Sequence, residues 1–263
     1  MKSINTITSP PAAEPVHLDE MKLHLRIDGD SENSLLAALI NAARQHAENV
    51  MARAIIAQTR KLFLDFFPGS EIALPGPPLI AVSSIQYIDL ADSLQTLADS
   101  VYDVDTDSEP GRVLLAYSQS WPATKATPKA VTITYVCGYA TPFTANATDD
   151  KLTWLGRTPV DGTLLRLTNS GGELPSPLAV GTNYYVVSAS GQTCKLALAA
   201  GGVAIDILNA GSGTHFIGEI PAPIISAIKM RVGMLYENRE GQADKNAAAA
   251  VENLLWPFRM MSF

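Results

Sequence analysis

The sequence predicts an α+β protein in which helices at both ends of the chain flank a β section and a separate small all-β domain. Three observations carry this. Apolar stripes at helical spacing occupy residues 31–54 and 222–240. Period-two runs begin near residue 59. Over 141–219 glycine, alanine, serine, threonine and asparagine dominate, and short strands sit between GG, PSP and GSG turns.

With 263 residues the chain can form one large domain or two modest ones with a real core. Its 47% hydrophobic and 17% charged content is an ordinary globular balance and argues against overall disorder. A net charge of −7 excludes tight, charge-driven attachment to DNA or to anionic membranes. Cys137 and Cys194 lie far apart without CxxC spacing, so neither a disulfide framework nor a zinc site is expected. No signal peptide and no bilayer-length apolar run is visible; the expectation is a soluble protein made in the cytoplasm.

Residues 1–15 read as an extended arm, because proline and small polar residues offer nothing to bury. A short helix over 18–26 is predicted by Leu18, Met21 and Leu25 at helical spacing, with His17 in the capping slot and Glu20 three residues on. The helix over 31–54 is set by Leu35, Leu36, Leu39, Ile40, Ala43, Ala47, Val50, Met51 and Ala54, with Arg44 and Glu48 mostly off the stripe and Asp30 and Ser31 as caps. TRKLFLDFF, EIAL, LIAVSSIQYID, VYDVD, GRVLLAY and AVTITYVCGY read as strands within 59–139. TPFTANATDD reads as a polar linker, and TLLRL, NYYVVSA, TCKLALA and AIDIL as strands of the small domain. PAPIISAIKMRVGMLYENRE gives a helix over 222–240, broken at Gly241, and KNAAAAVENLL a last helix over 244–255 that Pro257 stops.

The chemistry-bearing residues do not converge. His17 and His24 are seven positions apart, about 10.5 Å along a helix, too far to share one metal ion. DVDTDSE begins like a calcium loop, yet Ser108 and Leu114 stand where glycine and glutamate are needed, so a solvated acidic turn is expected. There is no G-x-S-x-G elbow and no phosphate-cradling glycine loop, so neither an enzyme nor a cofactor is expected. The tail WPFRMMSF has two readings. Trp256, Phe258 and Met260 either fold back on the chain's own core or insert as aromatic anchors into another chain.

Taken in order, "SPPAAEPVHLDEMKLHLRID", "LLAALINAARQHAENVMARAI", "IALPGPPLIAVSSIQYID", "YDVDTDSEPGRV", "SQSWP", "VTITYVCGYA" and "IPAPIISAIKMRVGMLYENREG" resemble the head–tail connector, or adaptor, proteins of tailed phages, which sit beneath the portal. The resemblance covers residues 9–140 and 219–241. It implies a helical connector core (N-terminal helix pair plus C-terminal helices) with its β section over 1–140 and 219–263, and an inserted all-β domain over 141–218 that resembles a β module of other phage virion proteins.

The same resemblance implies a structural virion protein of the neck, assembled in the bacterial cytoplasm. Such a protein forms an oligomeric ring that matches the twelvefold portal, joins capsid to tail and continues the channel used in DNA packaging and ejection. Its implied partners are the portal protein, other copies in a dodecamer, tail-side neck or tail-terminator proteins, and DNA passing without specific binding; no membrane is involved. Trp256, Phe258, Arg259, Met260 and Phe263 are then candidates for portal docking, and Leu18, Met21, Leu25, Arg44, Glu48, Arg231 and Tyr236 for the ring interface. The alternative is a neck-exposed binding module, in which the inserted domain contacts other virion proteins or host glycans. Tyr184 and Tyr185 are its candidates, although alternation puts one of them in the core.

Overall fold

The structure, a computed structural model, describes residues 3–69, 71–155, 157–238 and 245–260. The chain divides into two compact units, one made of residues 1–11 and 57–138, the other of 12–56 and 139–263.

The first unit is β throughout. Its strands are β1 (Ser3–Ser9), β2 (Gln58–Leu64), β3 (Glu71–Ala73), β4 (Leu79–Ile88), β5 (Leu94–Thr96), β6 (Tyr102–Asp105), β7 (Arg112–Leu115) and β8 (Val131–Cys137). A five-stranded antiparallel sheet runs β1-β2-β8-β4-β5, and β3-β7-β6 form a second sheet. Alternation decides what is buried: Leu62, Ile133 and Ile85 form one cross-strand row, all within 2% of full enclosure. The residues predicted to be an arm are thus partly a strand, because Ser3–Ser9 adds to the edge of this sheet through β2.

The second unit joins helices to a barrel. Helix α1 (Leu18–Leu25) starts as its sequence suggests: His17 is extended and its Nδ1 accepts the Asp19 N–H at 3.2 Å. It ends where Arg26 turns left-handed, at φ 57°. Helix α2 (Asn33–Met51) begins later than the cap residues predict. Asp30 is engaged elsewhere, accepting from Lys22 Nζ at 2.6 Å and Asn33 Nδ2 at 3.2 Å, and Glu32 takes the capping position without a side-chain bond to the helix's own N–H groups. Ala52, at φ 54°, stops α2 at its other end.

Strands β9 (Thr141–Asn146), β10 (Lys151–Trp154), β11 (Leu164–Leu165), β12 (Leu167–Ser170), β13 (Tyr184–Ser190), β14 (Thr193–Ala197) and β15 (Thr214–Ile217) form one antiparallel sheet ordered β11-β13-β14-β10-β9-β15-β12. Its two edge strands are separated in sequence by Arg166 alone, so the edges are brought together and the sheet curls toward a barrel. Trp154, Leu152, Leu167, Val186, Cys194 and Leu196 fill it, none more than 1% exposed. TPFTANATDD is therefore not a linker: its first six residues are β9, with Thr141, Pro142 and Phe143 buried. AIDIL forms no strand, although Ile207 is buried and its N–H donates to Asp150.

Helices α3 (Ala222–Glu237) and α4 (Lys245–Leu255) complete the unit, followed by a 3-10 turn at Trp256–Phe258. Met21 of α1, Ile40, Ala43, Ala47 and Met51 of α2, Ile224, Ile228 and Val232 of α3, and Val251 and Leu255 of α4 share one core, which Phe216 of β15 also enters. Residues 239–244, where the end of one predicted helix, Gly241 and the start of the next fall, lie outside the described residues.

Candidate assembly site

The ring-interface candidates are mostly used inside the chain. Met21 is fully buried, and Leu18 and Leu25 pack against the same helical core, so the apolar face of α1 is covered by its own chain. Arg44 and Glu48, read from the sequence as lying off the stripe, are 5% and 8% exposed. The reason is electrostatic. Arg44 Nε donates to Glu14 Oε2 at 2.8 Å and its Nη1 to Glu48 Oε2 at 2.7 Å, while Asn41 holds the other Glu14 oxygen at 2.8 Å. Burial works against the Arg44 charge, but the two carboxylates overcome it and hold the guanidinium protonated beyond its ordinary range. Glu48 Oε1 also accepts the Ile55 N–H at 2.9 Å, so this network ties the segment before α1 and the turn after α2 to α2 itself. Met21, Arg44 and Glu48 are thus buried within their own chain. Arg231 and Tyr236 are half-buried on α3. The Tyr236 hydroxyl donates to Glu32 at 2.5 Å, and Arg231 Nε finds no hydrogen-bond partner among the described residues.

A second network joins barrel and helices. The His17 N–H donates to Ser170 Oγ at 2.7 Å, the Ser170 hydroxyl donates to Glu20, and Lys229 Nζ sits 2.5 Å from the other Glu20 oxygen. Gly171 is left-handed at φ 76°, and a Cβ there would meet the His17 ring, so the close approach needs glycine. Beside this contact a cleft of about 280 Å³ is lined by Pro15, Glu20, Ser170, Phe216, Glu219 and Ile225. Among the described residues no three His, Cys, Asp or Glu side chains group so as to hold a metal, and no helix is long and apolar enough to cross a membrane. The acidic turn is self-contained: Asp105 accepts from Ser108, from the Asp107 N–H and from Arg112 Nε at 3.0 Å, and these donors pull its carboxyl down to about 2.

Residues 15–85 match the phage gp6-like head-tail connector protein family. The connector match takes in α1, α2, β2, β3 and most of β4. No curated protein sequence matches the chain. Solved structures extend the likeness of fold over the rest. A chain in the neck of an empty gene transfer agent (GTA) particle computed with C6 symmetry aligns with a TM-score of 0.59 at 15% identity, over 100% of this chain and 97% of that one. A chain in the virion of a native GTA particle aligns at 0.57 and 16%, and one in the neck of a native GTA particle computed with C12 symmetry at 0.55 and 15%, with the same coverage.

Beyond the matched connector segment, Phe258 and Met260 of the tail are tied to their own chain and Trp256 is exposed. Phe258 packs against the helical core, its carbonyl accepts from Arg53 Nε at 2.5 Å, and the Met260 N–H donates to the Met51 carbonyl at 2.9 Å. Trp256 is 61% exposed, with the Arg259 guanidinium 5.3 Å from its ring centre. Phe263 lies outside the described residues. On the barrel, Tyr184 points inward and its hydroxyl accepts the Ala179 N–H, while Tyr185 lies half-buried on the outside. Sequence reading missed exposed apolar side chains of the barrel that include the partner of Tyr185. Leu164 stands directly opposite it across β11–β13, and Val160, Leu164, Leu198 and Val203 are each more than half exposed.

Proposed function

We propose that this chain is a structural subunit of the neck of a phage-like particle. It forms a ring beneath the portal that joins the head to the tail and continues the DNA channel. The observation that carries this reading is the head–tail connector match over 15–85, extended by a likeness of fold to GTA neck chains that spans nearly the full length of both molecules. The GTA neck structures were computed with C6 and C12 symmetry, which supports a cyclic arrangement for a chain of this fold. A net charge of −7 suits a lumen through which DNA slides without sticking.

In this reading residues 141–218 are an insertion in the connector core, and Trp256 with Arg259, left facing outward by the packing of Phe258, are the portal-docking pair. Assembly in the host cytoplasm and contacts to tail-side neck or tail-terminator proteins belong to the same proposal. A second role for the barrel draws on its exposed Val160, Leu164, Leu198 and Val203: these suit contact with another virion protein better than with a glycan. Co-sedimentation with purified portal particles tests the main reading. The chain is expected in the portal fraction; a chain that stays wholly in the supernatant at saturating concentration overturns it.

A further inference from the structure

Strand β1 has the marks of a detachable element. Six of its seven residues are exposed, and its apolar side chains Ile4 and Ile7 are 47% and 52% exposed, so its removal uncovers little core. It edges the five-stranded sheet yet carries no charge, in the sequence SINTITS; sheet edges are ordinarily blunted by charges or proline, and here Pro10 and Pro11 come only after the strand. Among the described residues its hold on its unit is the ladder with β2, the Asn5 side chain 3.2 Å from the Tyr135 hydroxyl, and Thr8 Oγ1 donating to the Thr59 carbonyl at 3.3 Å. Between β1 and β2 the chain leaves this unit altogether, builds residues 12–56 into the other, and returns at residue 57.

We propose that β1 is an exchangeable arm: in the assembled particle Ser3–Ser9 leaves its own β2 and pairs with β2 of a second copy of this chain. The proposal rests on the ring reading. Every ladder bond and register position is the same whether the strand is supplied by its own chain or by a neighbour, so the balance turns on the entropy of closing residues 10–57 against the cost of association. A ring fixes the neighbouring copy and supplies the arm at high effective concentration. The contact is heterologous, arm of one copy to β2 of the next, which is the kind that closes a ring.

Thr6 and Lys61 are direct partners across β1 and β2, and antiparallel partners lie within disulfide reach. Cys137 and Cys194, at 1% and 0% exposure, are shielded from mild oxidation. The test mixes separately purified Thr6→Cys and Lys61→Cys chains at assembly concentration, oxidises them, and resolves the products on denaturing gels; unchanged melts of each variant establish that both fold. Exchange produces a cross-linked species at twice the monomer mass, and the double variant gives a ladder of covalent multimers. A mixture that yields no inter-chain product while imaging shows rings overturns the arm and leaves the ring reading standing. A mixture with neither rings nor inter-chain product overturns both.

Discussion

Thr141 and Ile217 stand directly opposite each other as antiparallel partners in β9 and β15. The chain therefore leaves for the barrel and comes back at one point, the geometry that lets a block be inserted without disturbing its host. The barrel is nonetheless tied in, through Ser170 to His17 and Glu20 and through Phe216 in the helical core.

Excising residues 141–217 and rejoining Ala140 to Gly218 should leave a folded chain of lower stability. Losing the burial of Phe216 alone costs about 1.5–3 kcal/mol. Circular dichroism should retain the helical signal with a cooperative melt at lower temperature, and ring formation should persist. Loss of the helical signal would show that the barrel is part of the core's foundation and not an insertion.

Arg44→Met removes the cation between two carboxylates. Breaking a buried pair from one side costs about 3–5 kcal/mol, toward the lower end here because Glu14 keeps 30% of its side-chain exposure. Denaturant unfolding measures it. Glu14→Gln, which keeps a neutral acceptor for Arg44 and Asn41, should cost about 1 kcal/mol or less.

His215 makes stability depend on pH. Burial lowers its pKa from the ordinary 6.5, against the pull of the Ala210 carbonyl. Nε2 donates to that carbonyl at 3.0 Å, so in the neutral ring Nδ1 accepts from Asn169 at 2.8 Å. Above 6.5 the ring is neutral folded and unfolded. Below it the unfolded chain takes up a proton that the folded chain refuses, so stability falls as pH drops from 6.5 toward the lowered folded value. Melts between about pH 7 and 5 should show this slope, and His215→Gln should flatten it. An equal slope in both proteins would assign the dependence to other groups.

Trp256→Ala and Phe258→Ala separate docking from self-packing. The exposed Trp256 should change stability by less than about 0.5 kcal/mol while weakening portal binding. The half-buried Phe258 should lower the melting temperature, because it packs on the helical core. A Trp256→Ala chain that binds portal normally would remove the tail from the docking surface.

Much of this fold is legible in the sequence where one period persists. The α2 stripe, the His17 cap and the alternation of Val131, Ile133 and Tyr135 each correspond to an element, because burial of one face decides them. What escapes is set by distant partners. β9 hides in TPFTANATDD because threonine, asparagine and proline give no alternating apolar pattern, and only pairing with β10 and β15 makes it a strand. Arg44 looks like a surface residue until Glu14, thirty positions away in sequence, closes on it, and Glu48 is held by Arg44 in turn. The covering of α1 by α2 and α3 is equally invisible, since nothing local to Met21 names what buries it. The α2 start lies later than its caps suggest because Asp30 bonds Lys22, a tertiary contact that outcompetes capping.

The most direct test of the neck assignment is to image purified portal particles by electron microscopy after mixing with this protein. The predicted result is a ring of density stacked coaxially beneath each portal, sharing its symmetry. Bare portals beside persistent monomers, at concentrations well above assembly, would contradict it.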